Sequence, residues 1–144
     1  MNNIYEDIKI NLIILVIFLI LDLPMIGLIN KNMYQSQFER INTNNKLGYE
    51  RTIIAAIITY LLLVIGLYYF AIKQNSVYNG AIFGVVVYGI YNFTNLATIT
   101  NYGIKESIID TIWGTILCTL VTYIVLEINA KFLSRSELKM ELDS

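Results

Sequence analysis

The sequence lacks histidine, and among its 144 residues there are only one cysteine and one proline. The absence of histidine removes the most common metal ligand and the usual general base near neutral pH. The single cysteine, Cys118, can form neither an intramolecular disulfide nor a cysteine-rich metal site. The sequence therefore indicates no metal site and no cofactor, and it favours a non-enzymatic role.

Charge is also scarce. Charged residues make up 15% of the sequence, against about 25% in a typical soluble domain. The net charge of -1 provides no basic surface for nucleic acid. Hydrophobic residues make up 56% and are concentrated in long uncharged runs. The composition therefore predicts an integral, multi-pass membrane protein whose partner is the lipid bilayer, in a membrane of unspecified identity.

The apolar runs account for nearly the whole chain, so we predict a single transmembrane domain over residues 1–144. A bilayer core about 30 Å thick requires about 20 mostly apolar residues per helix. Runs of this length predict spans at about 10–29, 52–72, 77–99 and 107–130. The predicted fold class is all-α, an integral membrane four-helix bundle.

The first loop, residues 30–51, is the one long connection between spans. Met33, Tyr34, Phe38 and Ile41 recur at helical spacing with charged residues between them. This pattern predicts a short amphipathic helix lying in the membrane interface at about 31–41. A polar turn is expected over residues 42–48. Before the loop, Pro24 predicts a kink near Ile20, because proline lacks an N–H and crowds the preceding turn.

Four spans place both chain termini on one side of the membrane, here named side A, and the long first loop on side B. The positive-inside rule needs an excess of basic residues on one side. Side A carries Lys9, Lys73, Lys131, Arg135 and Lys139; side B carries Lys31, Arg40, Lys46, Arg51 and Lys105. The two counts are equal, so the orientation stays open.

Polar residues within the spans gather toward side B. Ionisable groups in a membrane span are costly and indicate a functional site by default. Asp22 lies past the middle of the first span, and Asp110 lies near the start of the fourth. We predict a polar pocket that opens toward side B beneath the first loop. Its candidate ligand-binding residues are Asp22, Tyr88, Asn92, Asn95, Asp110 and Trp113.

Structural interpretations of the same residues are equally open. Asp110 follows Ser107 at the spacing of a helix-capping pair. Asn92 and Asn95 can serve as hydrogen-bonding contacts between helices. Asp22 can accept a hydrogen bond from a tyrosine or asparagine across the bundle. Gly80 and Gly84 form a G-x-x-x-G pattern, which permits close helix approach within the bundle or between copies, including a homo-oligomer.

Several of these residues carry a resemblance to a known family. The run Tyr91-Asn92-Phe93-Thr94-Asn95-Leu96-Ala97-Thr98 is followed by Asp110-Thr111-Ile112-Trp113-Gly114. Together with Leu21-Asp22, Gly27 and Met33-Tyr34, these runs resemble the predicted membrane proteins of domain-of-unknown-function 2177. The resemblance covers essentially the whole chain and implies a small membrane protein of unassigned function.

Two positions depart from the family pattern. Asn92 stands where the family commonly has aspartate, and Met25 stands where it commonly has tryptophan. The first difference removes an acid from the predicted pocket. If that acid performs proton chemistry in relatives, the resemblance implies that this chain binds without catalysing.

Three functions are compatible with these observations. The first is a protein that binds or carries a small molecule or lipid in the polar intramembrane pocket. The second is an accessory or assembly protein that acts through helix–helix contacts, for which Gly80 and Gly84 are the evidence. The third is an enzyme on an apolar substrate, with Asp22 and Asp110 as acid and base.

Overall fold

The computed structural model describes residues 4–29, 31–41 and 49–142, without the side chains of Phe38, Tyr49 and residues 133–142. Within these ranges the chain is helical apart from short turns, and no strand occurs. Four helices there are long and apolar enough to cross a membrane, at Ile4–Ile29, Glu50–Ile72, Val77–Thr98 and Ile104–Phe132. The predicted all-α, four-helix membrane architecture is therefore confirmed.

Five helices follow one another in the part of the chain that the structure describes. They are α1 at Ile4–Pro24, extended by a π-helical turn at Met25–Ile29; α2 at Lys31–Ile41; α3 at Tyr49–Leu67, extended by a π-helical turn at Tyr68–Ile72; α4 at Val77–Thr98; and α5 at Ile104–Leu142. Acidic residues in the first turns of α1 and α5 stabilise these helix N-termini. The two helices begin at Ile4 and Ile104, before the predicted spans. The turn predicted over residues 42–48 lies outside the described residues.

The single proline marks a change of helix geometry at the side-B end of α1. Pro24 is the last residue of the α-helical segment, and the π-helical turn Met25–Ile29 follows directly. Proline cannot donate the backbone hydrogen bond that an α-helix requires. The π-helical turn lies directly after the proline, and the kink expected near Ile20 stays a prediction.

The core of the bundle is formed by one face each of α1, α3 and α5. Its fully buried members include Ile14 and Phe18 from α1, Leu67 from α3, and Leu117 and Val121 from α5. The outer faces of the helices carry many large apolar side chains that are exposed. A continuous apolar surface of this kind is suited to contact with lipid.

A seam of small residues joins α4 to α5. A Cβ atom added at Gly84 would lie 2.7 Å from the carbonyl oxygen of Gly114 and 2.8 Å from the Cα of Thr115. One added at Gly80 would lie 2.9 Å from the Cβ of Thr122. The two backbones thus approach to a distance that only glycine permits. Both glycines are buried against α5 of the same chain, and a homo-oligomer through them stays a prediction.

By contrast, α3 and α4 separate from each other toward side B. The short turn Lys73–Ser76 connects them, and the Ser76 side chain caps α4 by accepting from the Asn79 N–H at 3.2 Å. Contacts between the two helices concentrate at the π-helical turn Tyr68–Ile72, next to this connection. Farther along the helices, a groove opens between them.

Candidate functional site

Asp22 lies buried in the side-B half of the bundle and connects three helices. Its Oδ2 accepts a hydrogen bond from the Tyr60 hydroxyl of α3 at 2.7 Å, and its Oδ1 accepts from the Trp113 Nε1 of α5 at 2.9 Å. The residue is 5% exposed. A buried carboxylate needs such partners, because an unpaired one is costly to desolvate. Asp22 thus accepts a hydrogen bond from a tyrosine across the bundle, which is one of the interpretations that the sequence left open. It also accepts a second hydrogen bond, from a tryptophan.

Asp110 is half-buried and forms the second polar centre, between α2, α4 and α5. Its Oδ2 accepts from the Asn92 Nδ2 at 2.7 Å, and its Oδ1 accepts from the Tyr34 hydroxyl. Because α5 begins at Ile104, Asp110 lies beyond the first helical turn. The Ser107 hydroxyl donates instead to the Gly103 carbonyl at 2.8 Å. Both oxygens of Asp110 therefore serve contacts across the bundle rather than a helix cap.

Asn92 extends the network toward the loop between α4 and α5. It is 1% exposed, and its Nδ2 also donates to the Tyr88 carbonyl at 3.0 Å. Its Oδ1 accepts from the Tyr102 hydroxyl at 3.2 Å. The Tyr91 side chain lies near both Tyr102 and the Asn95 side chain. Asn95 therefore lies beside the network.

Tyr88 stands between the two carboxylates. Its ring lies on Gly114 of α5, where an added Cβ would overlap the ring atoms. The Tyr88 side chain lies near both Asp22 and Asp110. The structure thus brings the candidate residues predicted from the sequence into one region of the bundle, with Tyr88 between its two centres.

The amphipathic helix α2 covers this region from side B. Besides the bond from Tyr34 to Asp110, Arg40 forms an ion pair with Glu106 at the edge of the bundle. Burial, followed by the hydrogen bond to Asp110, raises the pKa of Tyr34 above its usual value. Gln37, one turn from Tyr34, is 9% exposed, and its Oε1 has no hydrogen-bond donor among the described residues.

Four residues of this region fall outside the predicted set. Tyr34 was named on the apolar face of α2 and in the runs that carry the family resemblance, but not as a site residue, and Tyr60 was not named as one either. Tyr102 and Gln37 were not identified. Tyr102 could have been identified from its position, because it is a tyrosine in the short connection that leads to α5. Gln37 offered a weaker signal, because it shares a face of α2 with Tyr34 at a spacing of three residues.

The groove between α3 and α4 leads to this polar region. Its volume is about 480 Å³. The lining is almost entirely apolar and includes Leu62, Leu63 and Phe70 from α3 and its π-helical turn, and Phe83, Val87 and Tyr88 from α4. Leu62 and Phe70 are each 66% exposed on the outer surface, so the groove faces the surrounding lipid. Tyr91 and Asp110 also line it, and Asp110 is the only charged residue among the described residues of its lining.

The electrostatics of the region are defined by neutral hydrogen-bond donors. In the described part of the chain, the donors to Asp22 and Asp110 are tyrosine, tryptophan and asparagine side chains. No group of three or more potential metal-ligating residues occurs among the described residues. The region can therefore accept hydrogen bonds or a positive charge from a bound molecule.

These features define a small polytopic helical membrane protein with a buried polar centre. A family model described as predicted membrane protein (DUF2177) matches residues 8–126, so the chain belongs to this family. The resemblance noted in the sequence is thereby confirmed, together with location in a membrane. No curated protein and no solved structure matches the chain.

Proposed function

We propose that the protein binds a membrane amphiphile, with its hydrocarbon chain in the α3–α4 groove and its polar head at Asp110. The observation that supports this proposal is the continuity of the groove, whose apolar walls lead to the half-buried carboxylate of Asp110. A lipid-like molecule has the same division between a long apolar part and a small polar part. The ligand comes from the bilayer, because the groove faces it.

The size and lining of the groove suit such a ligand. Ligand sites commonly enclose about 300–1,000 Å³, with mainly hydrophobic walls and a few placed polar groups. The α3–α4 groove, at about 480 Å³, lies within that range. The groove has a fixed wall, because Leu63 and Leu67 of α3 are buried in the core.

The polar end of the groove is held in place before any ligand binds. Asn92 and Tyr34 fix the two oxygens of Asp110, and Tyr102 fixes Asn92. Residues held by such contacts lose little further conformational freedom on binding, which favours affinity. Helix α2 lies over this end of the bundle and separates it from the aqueous phase on side B.

The assembly alternative receives less support from the structure. Its sequence evidence was the pair Gly80 and Gly84, and the close approach that these glycines permit is made with α5 of the same chain. The binding proposal, in contrast, accounts for both the polar centre and the groove.

Native mass spectrometry of the protein released gently from membranes tests the proposal. Leu62→Trp adds bulk at the mouth of the groove. Ile57→Trp adds the same bulk on α3 in a different groove, between α1 and α3. Both positions are more than half exposed, so neither change should disturb the core.

We expect the native chain and Ile57→Trp to retain lipid-sized adducts, and Leu62→Trp to lose most of them. Circular dichroism would establish that both variants keep their helical content. Equal retention by the two variants, or no retained molecule in the native chain, would contradict the proposal.

A further inference from the structure

We infer that the polar site selects a head group that donates hydrogen bonds and carries no negative charge, such as a primary amine or a hydroxyl. This inference rests on the proposed function and specifies its ligand. It follows from the balance of acceptors, donors and charges around Asp110 and Asp22.

Both carboxylates are arranged as acceptors. Each oxygen of Asp22 and of Asp110 accepts one hydrogen bond from a neutral side chain. A carboxylate offers about four lone-pair positions, so each oxygen retains capacity for another donor. Asp110 lines the groove directly. A head group arriving along the groove therefore meets an acceptor that is already oriented.

A further acceptor lies in the helix that covers the site. Gln37 is nine-tenths buried on the side of α2 that faces the bundle, one turn from Tyr34, and its Oε1 lacks a donor among the described residues. Buried acceptors without donors are uncommon, because each costs the loss of a hydrogen bond to water. Gln37 is a second observation, independent of the carboxylates, of an acceptor at the side-B end that has no donor among the described residues.

The charges around the site exclude an anionic head. Among the basic residues described at the side-B end, Arg40 is paired with Glu106 at the edge of the bundle, and Lys31, Arg51 and Lys105 are exposed. The ion pairs of Lys9 with Glu6 and of Lys73 with Asp7 lie at the opposite, side-A end. In the described part of the chain no ion pair involves Asp110, so a phosphate or sulfonate would be placed beside its carboxylate with no cation already bound there. Like charges brought together in a desolvated site repel strongly.

Three photoactivatable probes in nanodiscs of zwitterionic lipid would test the inference. They carry the same saturated chain with a mid-chain diazirine and differ only in the head, which is a primary amine, an alcohol or a sulfonate. Labelled sites are mapped by peptide sequencing to the α3 and α4 residues that line the groove. The sulfonate stays anionic at all working pH values, so its charge is fixed.

We expect the amine to label the groove more strongly than the sulfonate by roughly tenfold, a ratio that corresponds to about 1.4 kcal/mol. The alcohol should also exceed the sulfonate. Asp110→Asn should bring the amine-to-sulfonate ratio close to one. Asp7→Asn, which removes a carboxylate from the side-A end, should leave the ratio unchanged.

The outcomes separate the two proposals. Equal groove labelling by all three probes in the native chain would overturn the head-group inference and leave amphiphile binding standing. Labelling that is no higher in the groove than around Ile57 for every probe would overturn amphiphile binding itself. The comparison of probes in the native chain does not depend on whether Asp110→Asn folds.

Discussion

Replacing Gly84 by alanine should separate α4 from α5 and lower the stability of the single chain. The new methyl carbon would lie 2.7 Å from the Gly114 carbonyl oxygen and 2.8 Å from the Thr115 Cα. Both of these atoms belong to the backbone of α5, so no side-chain rotation can relieve the overlap. Overpacking of this kind typically costs about 1–3 kcal/mol.

Gly89 provides the matched control on the same helix. A methyl group there would lie 3.9 Å from the Thr111 Cγ2, an ordinary van der Waals distance. Alanine is favoured over glycine in a helix by about 1 kcal/mol, and this gain is common to both substitutions. We therefore expect the free energies of unfolding of Gly84→Ala and Gly89→Ala to differ by about 1–3 kcal/mol.

The assay is unfolding in mixed micelles with increasing dodecyl sulfate, followed by circular dichroism. Trp113, the single tryptophan, gives a second signal through its fluorescence. Native mass spectrometry of the same samples would report the number of copies. Equal stability of the two variants, with Gly84→Ala alone losing a dimer, would refute the reasoning and assign the glycines to contacts between copies.

Three further predictions concern the polar region. Tyr60→Phe removes a donor from the buried Asp22 and should lower the free energy of unfolding by about 1–3 kcal/mol; a change below about 0.5 kcal/mol, measured by the same unfolding assay, would count against a structural role for this bond. Arg40→Ala should lower the free energy of unfolding by no more than about 1 kcal/mol, because exposed ion pairs contribute little. It should nevertheless speed amide hydrogen exchange throughout α2. Unchanged exchange would mean that the pair with Glu106 does not hold the helix. The pKa of Tyr34 is raised in the folded state, so the Tyr34 hydroxyl contributes fully to stability below the ordinary tyrosine pKa of about 10, and this contribution declines as pH rises above it. The difference in free energy of unfolding between the native chain and Tyr34→Phe should therefore shrink above that pH. A difference that grows there would contradict this sign.

The fold was accessible from the sequence because length and apolar composition are local properties of each segment. Asp22 could also be identified locally, since it interrupts an apolar run where no helix cap explains it. Asp110 was ambiguous for the same reason, because its spacing from Ser107 imitates a cap. The ambiguity disappears once α5 is seen to begin at Ile104.

The partners of these carboxylates could not be derived from local pattern. Trp113 and Asp22 are separated by 91 positions, and their contact depends on how α1 and α5 rotate about their own axes. Those rotations are fixed by packing of the whole core. Likewise, the short turn Lys73–Ser76 predicts that α3 and α4 are neighbours, but it does not reveal that they diverge into a groove.

The lateral position of the groove has a consequence for how its occupancy is governed. A molecule that enters between α3 and α4 arrives from the plane of the membrane, so it never crosses bulk water on its way to the protein. Its effective concentration is its mole fraction among the surrounding lipids, set by partitioning and not by its aqueous solubility. Even modest intrinsic affinity would then keep the groove filled by an abundant lipid, and the composition of the membrane would control which molecule resides there.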